Sequence, residues 1–556
     1  VGDRYPLVLE AENAYYVAAL LHAYGGTLLT DEGDYAFEGD AAEQTVEQLA
    51  SLVQNGHVPE ETNGELVKRL FVSGQAAAAV SGPWLAPDLP DDFSWEVVPL
   101  PRVDAANAPM RPYVTVESAF VAAGANAAAG ELARFLAAEE SALIRARRGR
   151  QVVTNQRAWR QLEDDHLLIT FRQAAREGIT MPTHPHMRQV FEPATRALRK
   201  VLRRGEPIEA ALRAGGATFR DDTRPQPPAQ DPTLFFLLLG VVLFGICLRW
   251  LVQLRDPLAR QAIRDSIPAY RYLAHAFVAV MLLVIVPLVV GAFTSFYAGN
   301  GRDLHFAGIA NYADILSARG GDLLGHRSFY VVLLVTVLWT VLNLALHVAI
   351  GIALALLLNQ QGLRFRGGYR VLLILPWAVP NYVTALAWKG LFHRQFGAIN
   401  AILEELGAEP VSWFGQWSTA FAANVTTNVW LGFPFMMVVT LGALSAIPKE
   451  LYEAAEVDGA TPWQRFRHVT WPMVRPVLAP AIAMGSVWTF NMFNVVFLVS
   501  GGEPDGTTEI LVSEAYRWAF TRGSQYGYAA AYAVLIFGVL WVATRLFGRR
   551  LTEVPT

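Results

Sequence analysis

From Thr233 onward, long apolar runs alternate with short polar loops, whereas the first 230 residues carry charge throughout. A bilayer core takes roughly 20 mostly apolar residues in helix. Seven stretches qualify, near 233–252, 273–297, 329–358, 371–391, 418–447, 477–499 and 526–547. A soluble protein with buried core helices does not readily supply seven runs of this length. The earlier part alternates helical stretches with short strand-like segments, an α/β pattern. Between the two parts lies Arg224-Pro225-Gln226-Pro227-Pro228-Ala229-Gln230-Asp231-Pro232, whose four prolines forbid a continuous helix. The expected organisation is an α/β domain over 1–222, a linker over 223–232, two spans and an external loop over 233–320, and a helical core over 321–556.

Charge orients the spans. Arg255, Arg260, Arg264 and Arg271 follow the first stretch; Arg364, Arg366 and Arg370 follow the third; Arg545, Arg549 and Arg550 form the tail. By the positive-inside rule all three groups are cytoplasmic. The loop 448–472, with Lys449, Arg465 and Arg467, falls on the same side, and residues 1–230 fall outside. A hydrophobic share of 53% fits a membrane chain, and a net charge of −4 points to no nucleic acid or other polyanionic partner. Cys247 is the lone cysteine, which excludes an intrachain disulfide and argues against a thiolate metal site. No signal peptide precedes Val1, so the chain reads as a fragment or a processed form of something longer.

The loop 448–472 reads as two short helices joined at a glycine. The first runs from Lys449 to Gly459, a residue suited to a left-handed cap; the second has Thr461 as N-cap, Pro462 at its first position and Gln464 completing a capping box. Trp463, Phe466 and Val469 recur every three residues and form an apolar face that a protein or a membrane surface must cover. Glu453, Ala454, Ala455, Gly459, Val469 and Pro472 fall on the spacing of the Glu-Ala-Ala loop of ATP-binding-cassette importer permeases, which this loop resembles, with Trp471 in place of the usual Leu. The resemblance implies that Glu453, Ala454, Ala455, Asp458, Gly459, Trp463, Phe466, Val469 and Pro472 couple the spans to a separate ATPase dimer. A phosphate-binding P-loop needs a Gly-Lys dipeptide, and none of Lys68, Lys200, Lys389 and Lys449 follows a glycine. ATP and magnesium are therefore expected on the partner, and no cofactor on this chain.

Leu375-Pro376-Trp377-Ala378-Val379-Pro380, Trp430-Leu431-Gly432-Phe433-Pro434-Phe435, Asp458-Gly459-Ala460-Thr461-Pro462-Trp463-Gln464, and Phe490-Asn491 followed by Gly501-Gly502 are similar to the larger permease subunit of maltose-type importers. The fold so implied is a type I importer permease. Polar groups inside spans face a partner, a water-filled path or another helix. Asn424 and Asn428 lie four apart, and Asn491 lies near Trp488 and Phe490, an arrangement that suits either a sugar or interhelical hydrogen bonds. By resemblance, sugar contacts fall on Asn428, Leu431, Gly432 and Phe435, then on Gly485, Trp488, Thr489 and Met492. Phe435 lacks the family's tyrosine hydroxyl, and Thr489 and Met492 replace two amides, which implies a different sugar or a less selective passage. Asn343 and His347 are also four apart, and a structural hydrogen bond is expected of His347.

In the first part, Tyr15-Tyr16, Gly25-Gly26, the run Phe71 to Trp84, Val97-Val98-Pro99-Leu100-Pro101, Met181-Pro182 and Phe191-Glu192-Pro193 are similar to the C-terminal part of a maltose-type extracellular solute-binding protein. The resemblance implies that Tyr15, Tyr16, Trp84 and Phe191 are platforms for sugar rings; core packing is the other reading of each. The segment that builds much of the first lobe is missing before Val1, so weak ligand binding or none is expected, from either an incomplete chain or a relic domain kept as a docking cap.

The function expected is the permease subunit of an ATP-driven carbohydrate importer in a bacterial inner membrane. Its expected partners are a second permease, two ATPase copies, an oligosaccharide, the bilayer and, as a further candidate, a separate solute-binding protein. A membrane-anchored solute sensor would need an output domain after the last span, where about ten residues follow. A secondary transporter would carry intramembrane carboxylates and internal repeats.

Overall fold

The computed structural model describes residues 5–300, 303–360 and 362–552, the side chains of 547–552 excepted. Val1 and the Arg549 and Arg550 side chains lie outside the described set. The chain divides into two compact units, Val1–Arg224 and Pro225–Thr556.

The first unit is helical with short strand pairs. Tyr5–Val8 runs parallel to Ala76–Ala79, with Tyr5 opposite Ala76, and Tyr113–Val114 runs parallel to Ile179–Thr180. Asn13 starts helix Ala14–Ala23 by accepting the Tyr15 N–H, and Leu21, Phe37, Leu49, Leu198 and Phe219 bury in the main core. A second core gathers Ala142, Ala146, Trp159 and Leu168. The buried carboxylate of Glu12 is paired with Arg203 of helix Met187–Arg204, and Arg199 stands 3.5 Å from it, so ionic contacts tie this helix to the start of Ala14–Ala23. His22 is buried; its Nδ1 lies 2.6 Å from the Arg111 carbonyl, and its ring meets Tyr113 edge-on at 4.6 Å.

Burial holds the His22 pKa below its ordinary 6.5, so the neutral ring belongs to the folded state. Its contribution to stability is complete above 6.5 and is lost as pH falls, because the unfolded chain takes the proton first. Hydrogen exchange at Ala14–Ala23 in the full chain, corrected for intrinsic rates, should show protection declining as pH falls below 6.5. His22→Gln should flatten that decline.

In the second unit, among the described residues, six helices are long and apolar enough to cross a membrane, and a further pair, bent sharply at a short break, makes a seventh when the two are counted as one span. We name them in order: the first span Thr233–Gln253, the second Pro257–Thr294, the third Phe329–Leu358, the fourth Arg366–Ala378 with Asn381–Leu391, the fifth Trp417–Ser445, the sixth Pro462–Phe490 and the seventh Tyr526–Leu546. Three differ from the sequence expectation, each for a local reason.

The loop expected over 255–271 is helix. Asp256 accepts the Leu258 N–H at 3.0 Å and Pro257 takes the first helical position, so the second span begins far ahead of its apolar part. The stretch 371–391 is bent by 93°. Pro380 forces the preceding Val379 into extended backbone (φ −81, ψ 136), which ends the helix there. The second short helix expected in the 448–472 loop does not stop before Pro472. Pro472 offers no N–H to a preceding turn, and a π turn over Phe466–Thr470 carries the helix through it into the sixth span. That span ends at Phe490, and the residues expected to complete it form a separate helix, Phe493–Val499.

The third and fifth spans pack closely because glycines let them approach. A Cβ on Gly351 would stand 2.7 Å from the Met436 Cβ, and one on Gly432 would strike the His347 ring. His347 Nε2 lies 3.0 Å from the Asn428 carbonyl, the structural bond expected of it. The Asn428 amide donates to Asn343 Oδ1 at 2.9 Å, and the Asn343 amide to the Trp339 carbonyl at 2.8 Å. Each polar group is thus satisfied where lipid would leave it bare.

Candidate functional sites

In the first unit the fold collects the four aromatic residues singled out from sequence. Tyr15 lies 5.4 Å from Tyr16, 6.3 Å from Trp84 and 6.3 Å from Phe191, and Tyr16 lies 6.4 Å from Trp84, all between ring centroids. Trp84 remains 51% exposed in a short turn, Pro83–Asp88. A Cβ on Gly82 would collide with its ring, so glycine there is what lets the indole fold back. Burial, with Glu10 adding to it, raises the Tyr16 phenol, so the hydroxyl stays a donor at neutral pH. Glu10 also accepts from the Asn13 amide at 3.0 Å.

The residues expected along a membrane path divide into two groups. Asn428, Leu431, Gly485 and Thr489 are buried in helix contacts rather than facing open space. Asn428 is occupied by Asn343; Leu431 joins the core around Trp339; a Cβ on Gly485 would stand 2.9 Å from Met436 Cε; and the Thr489 carbonyl accepts the Trp339 indole N–H at 2.8 Å. Gly432 and Met492 are half-buried. Trp488 is the open one, 51% exposed, and its ring lies 5.8 Å from that of Phe435, which is half-buried. Trp377 of the fourth span joins them, 6.1 Å from Phe435. Sequence reading quoted Trp377 only within a matching stretch. Its signal was Pro380, three residues on, which ends the helix that carries it. Asn424 bonds to Ser500 at 2.9 Å, and Asn491 back to the Val487 carbonyl at 2.9 Å.

The 448–472 segment forms an elbow. Helix Lys449–Val457 ends at Gly459 (φ +77), the Thr461–Gln464 capping box opens the sixth span, and Trp463 stacks on Phe466 at 5.5 Å. Glu453, Ala454, Asp458, Gly459 and Trp463 face outward, as does Pro472, while Ala455, Phe466 and Val469 are half-buried. Tyr452 and Thr470 hydroxyls meet at 2.9 Å and Arg465 pairs with Glu456 at 3.4 Å, so the short helix is fastened to the long one. Ile352, Ala353 and Leu356 of the third span, with Tyr452, Trp463 and Phe466, line an apolar cleft of about 780 Å³.

One cluster escaped sequence reading. Between the sixth and seventh spans, Glu509 pairs with Arg517 and Glu514 with Arg522, all four buried. Arg517 also donates to the Gly501 carbonyl at 2.5 Å, the Trp518 indole donates to Glu514 at 3.0 Å, and Arg319 lies over the Trp518 ring at 3.9 Å. The signal available was the repeated Glu-to-Arg spacing of eight.

Comparison with known proteins places these features. The family described as binding-protein-dependent transport system inner membrane component matches residues 347–552, and bacterial extracellular solute-binding protein matches residues 7–155. The galactooligosaccharides transport system permease protein GanP of Bacillus subtilis is 36% identical over 255 residues, 44% of this chain and 60% of that protein. The maltose/maltodextrin transport system permease protein MalF of Salmonella typhimurium is 41% identical over 221 residues, 38% of this chain and 43% of that protein. The trehalose/maltose transport system permease protein MalF of Thermococcus litoralis is 33% identical over 280 residues, 49% of this chain and 90% of that protein. The chain thus spans less than two thirds of the first two relatives and nearly all of the third. With its apolar helices, its Glu-Ala-Ala elbow and these matches, the chain is a multi-pass member of the binding-protein-dependent transport system inner membrane component family, fused at its N-terminal side to a solute-binding region.

Proposed function

We propose that this chain is the permease subunit of an ATP-driven oligosaccharide importer, working with a second permease and two copies of a separate ATPase that carry ATP and magnesium. Residues 1–230 face outward, the C-terminus and the elbow face the cytoplasm, and the spans sit in an inner membrane. The observation that carries the reading is that the elbow and the open aromatic residue Trp488 belong to one helix, Pro462–Phe490. At about 1.5 Å per residue Trp463 and Trp488 stand roughly 38 Å apart along it, so an ATPase that moves Trp463 acts on Trp488 through one continuous helix, whose π turn and inner prolines are the points where it bends. Trp377, Phe435 and Trp488 offer apolar ring faces to a sugar, and Tyr15, Tyr16, Trp84 and Phe191 do the same outside. The relatives named for galactooligosaccharides, maltodextrin and trehalose or maltose support that substrate class. A tethered binding region meets its own permease at a millimolar-range effective concentration, so delivery is intramolecular.

The test is ATPase activity of the co-purified complex in nanodiscs across an oligosaccharide panel. Trp488→Ala should lower sugar stimulation by on the order of 10-fold, the loss of one stacked ring worth about 1 kcal/mol, and leave basal hydrolysis alone. Stimulation unchanged in Trp488→Ala would remove that ring from the path.

A further inference from the structure

The second span is too long for the membrane it enters. Its 38 residues extend about 57 Å at 1.5 Å per residue, against a hydrocarbon core of about 30 Å. The surplus is the N-terminal segment, and its residues sort by face. At 100° per residue, Arg260, Arg264 and Arg271 fall on one stripe, while Ile263, Ile267 and Tyr270 fall together on the adjoining face. Ile263, Ile267 and Tyr270 are exposed, and the segment buries no residue. Among the described residues, none of these three arginines pairs with a carboxylate; Arg260 reaches only the Arg255 carbonyl, at 3.0 Å. Pro268 sits inside the helix between Arg264 and Arg271, where the missing N–H makes bending cheap.

We propose that residues 257–267 form an arm, hinged at Pro268, that lies on the cytoplasmic bilayer surface with Ile263 and Ile267 immersed and Arg260 and Arg264 on anionic phospholipid headgroups, while Tyr270 and Arg271, just past the hinge, sit at the same interface where the span enters. The inference rests on the orientation given under Proposed function. Charge selects the occupant. A zwitterionic surface would reward the apolar face alone, whereas three unpaired guanidiniums beside it match an anionic leaflet. The arm leads directly into the apolar part of the second span, so its seating sets the tilt at which that span enters the membrane. Lipid charge thereby becomes an input to the transporter.

The experiment uses the full chain in a Cys247→Ala background, with a spin label at Ile263→Cys or at Gln261→Cys on the polar face. Nanodiscs contain either phosphatidylcholine alone or a phosphatidylglycerol-rich mixture. In the anionic discs the residue 263 label should become shielded from a water-soluble nickel relaxant and open to oxygen, while the residue 261 label stays open to nickel. Replacing Arg260, Arg264 and Arg271 by Gln should lower the seated-to-free ratio by on the order of 100-fold. Salt at about 1 M, which cuts the screening length to about 3 Å, should reproduce that loss without any arginine substitution. Equal nickel access at residue 263 in both discs overturns the proposal. So does shielding that appears only when the ATPase is added, whatever the lipid, since a protein then covers this face. A membrane-impermeant maleimide on Gln261→Cys tests orientation separately; reaction from the outer side alone would overturn the topology.

Discussion

Gly459→Pro combined with Glu453→Ala should abolish sugar-stimulated ATP hydrolysis in the co-purified complex while leaving the chain in the membrane. Gly459 sits at φ +77 and its N–H donates to the Glu456 carbonyl at 3.0 Å; the next N–H, of Ala460, donates to the Ala455 carbonyl at 2.9 Å. Proline fixes φ near −65° and has no N–H, so both the turn and a bond fail, at a cost of about 3 kcal/mol. If that cost falls on the coupled conformation, stimulated turnover drops by on the order of 100-fold. Glu453 is exposed on the short helix and among the described residues its side chain makes no hydrogen bond or ion pair, so its removal reads the proposed ATPase contact alone. Gly459→Ala is the graded control, since a Cβ at positive φ costs only about 1–2 kcal/mol. Loss of stimulation in Gly459→Pro with full activity in Glu453→Ala would assign the effect to elbow geometry and not to that carboxylate.

Glu514→Gln should lower the stability of the loop between the sixth and seventh spans by about 3–5 kcal/mol, because it leaves Arg522 buried without its paired carboxylate. The side chains of Glu514 and Arg522 are each only 3% exposed. Burial opposes ionisation of Glu514, yet Arg522, Arg327 and Arg517 outweigh it and hold the carboxyl below its ordinary 4.5. For a depressed carboxyl the stabilisation is complete above 4.5 and lost as pH falls through the folded value, so the loop should withstand mildly acidic surroundings. Replacing Glu514 and Arg522 together by Leu should recover part of the loss, since Arg522 is no longer stranded, while Arg327 and the Trp518 N–H still lose the carboxylate they face. The thermal midpoint in nanodiscs checks both. A double variant as unstable as Glu514→Gln would place the energy in the Trp518 and Arg319 contacts instead.

The apolar runs were legible because each span must be hydrophobic over most of its length whatever it packs against. Where the helices begin and end was not, because proline's effect depends on its neighbours. Pro380 breaks a span by 93°, while Pro472, Pro476 and Pro480 ride inside one continuous helix behind a π turn. Residue type alone does not separate those outcomes. The same limit applies to the amides. Asn428 suited a sugar or a helix partner equally well in sequence, and it is the glycine at 432, letting His347 and Asn343 come close, that commits it to the helix interface. Glu509, Glu514, Arg517 and Arg522 drew no reading from the sequence, since burial of a charge is a tertiary fact. Tyr15, Tyr16, Trp84 and Phe191 converge from three separate elements, a grouping that no spacing rule shows.

The central claim is that this chain carries oligosaccharide inward when a separate ATPase hydrolyses ATP. Uptake of a radiolabelled oligosaccharide into proteoliposomes holding the co-purified complex, with ATP supplied on the elbow side, tests it most directly. The account predicts accumulation that requires ATP and disappears with Gly459→Pro. Equal sugar entry without ATP, or uptake that survives Gly459→Pro, would contradict it.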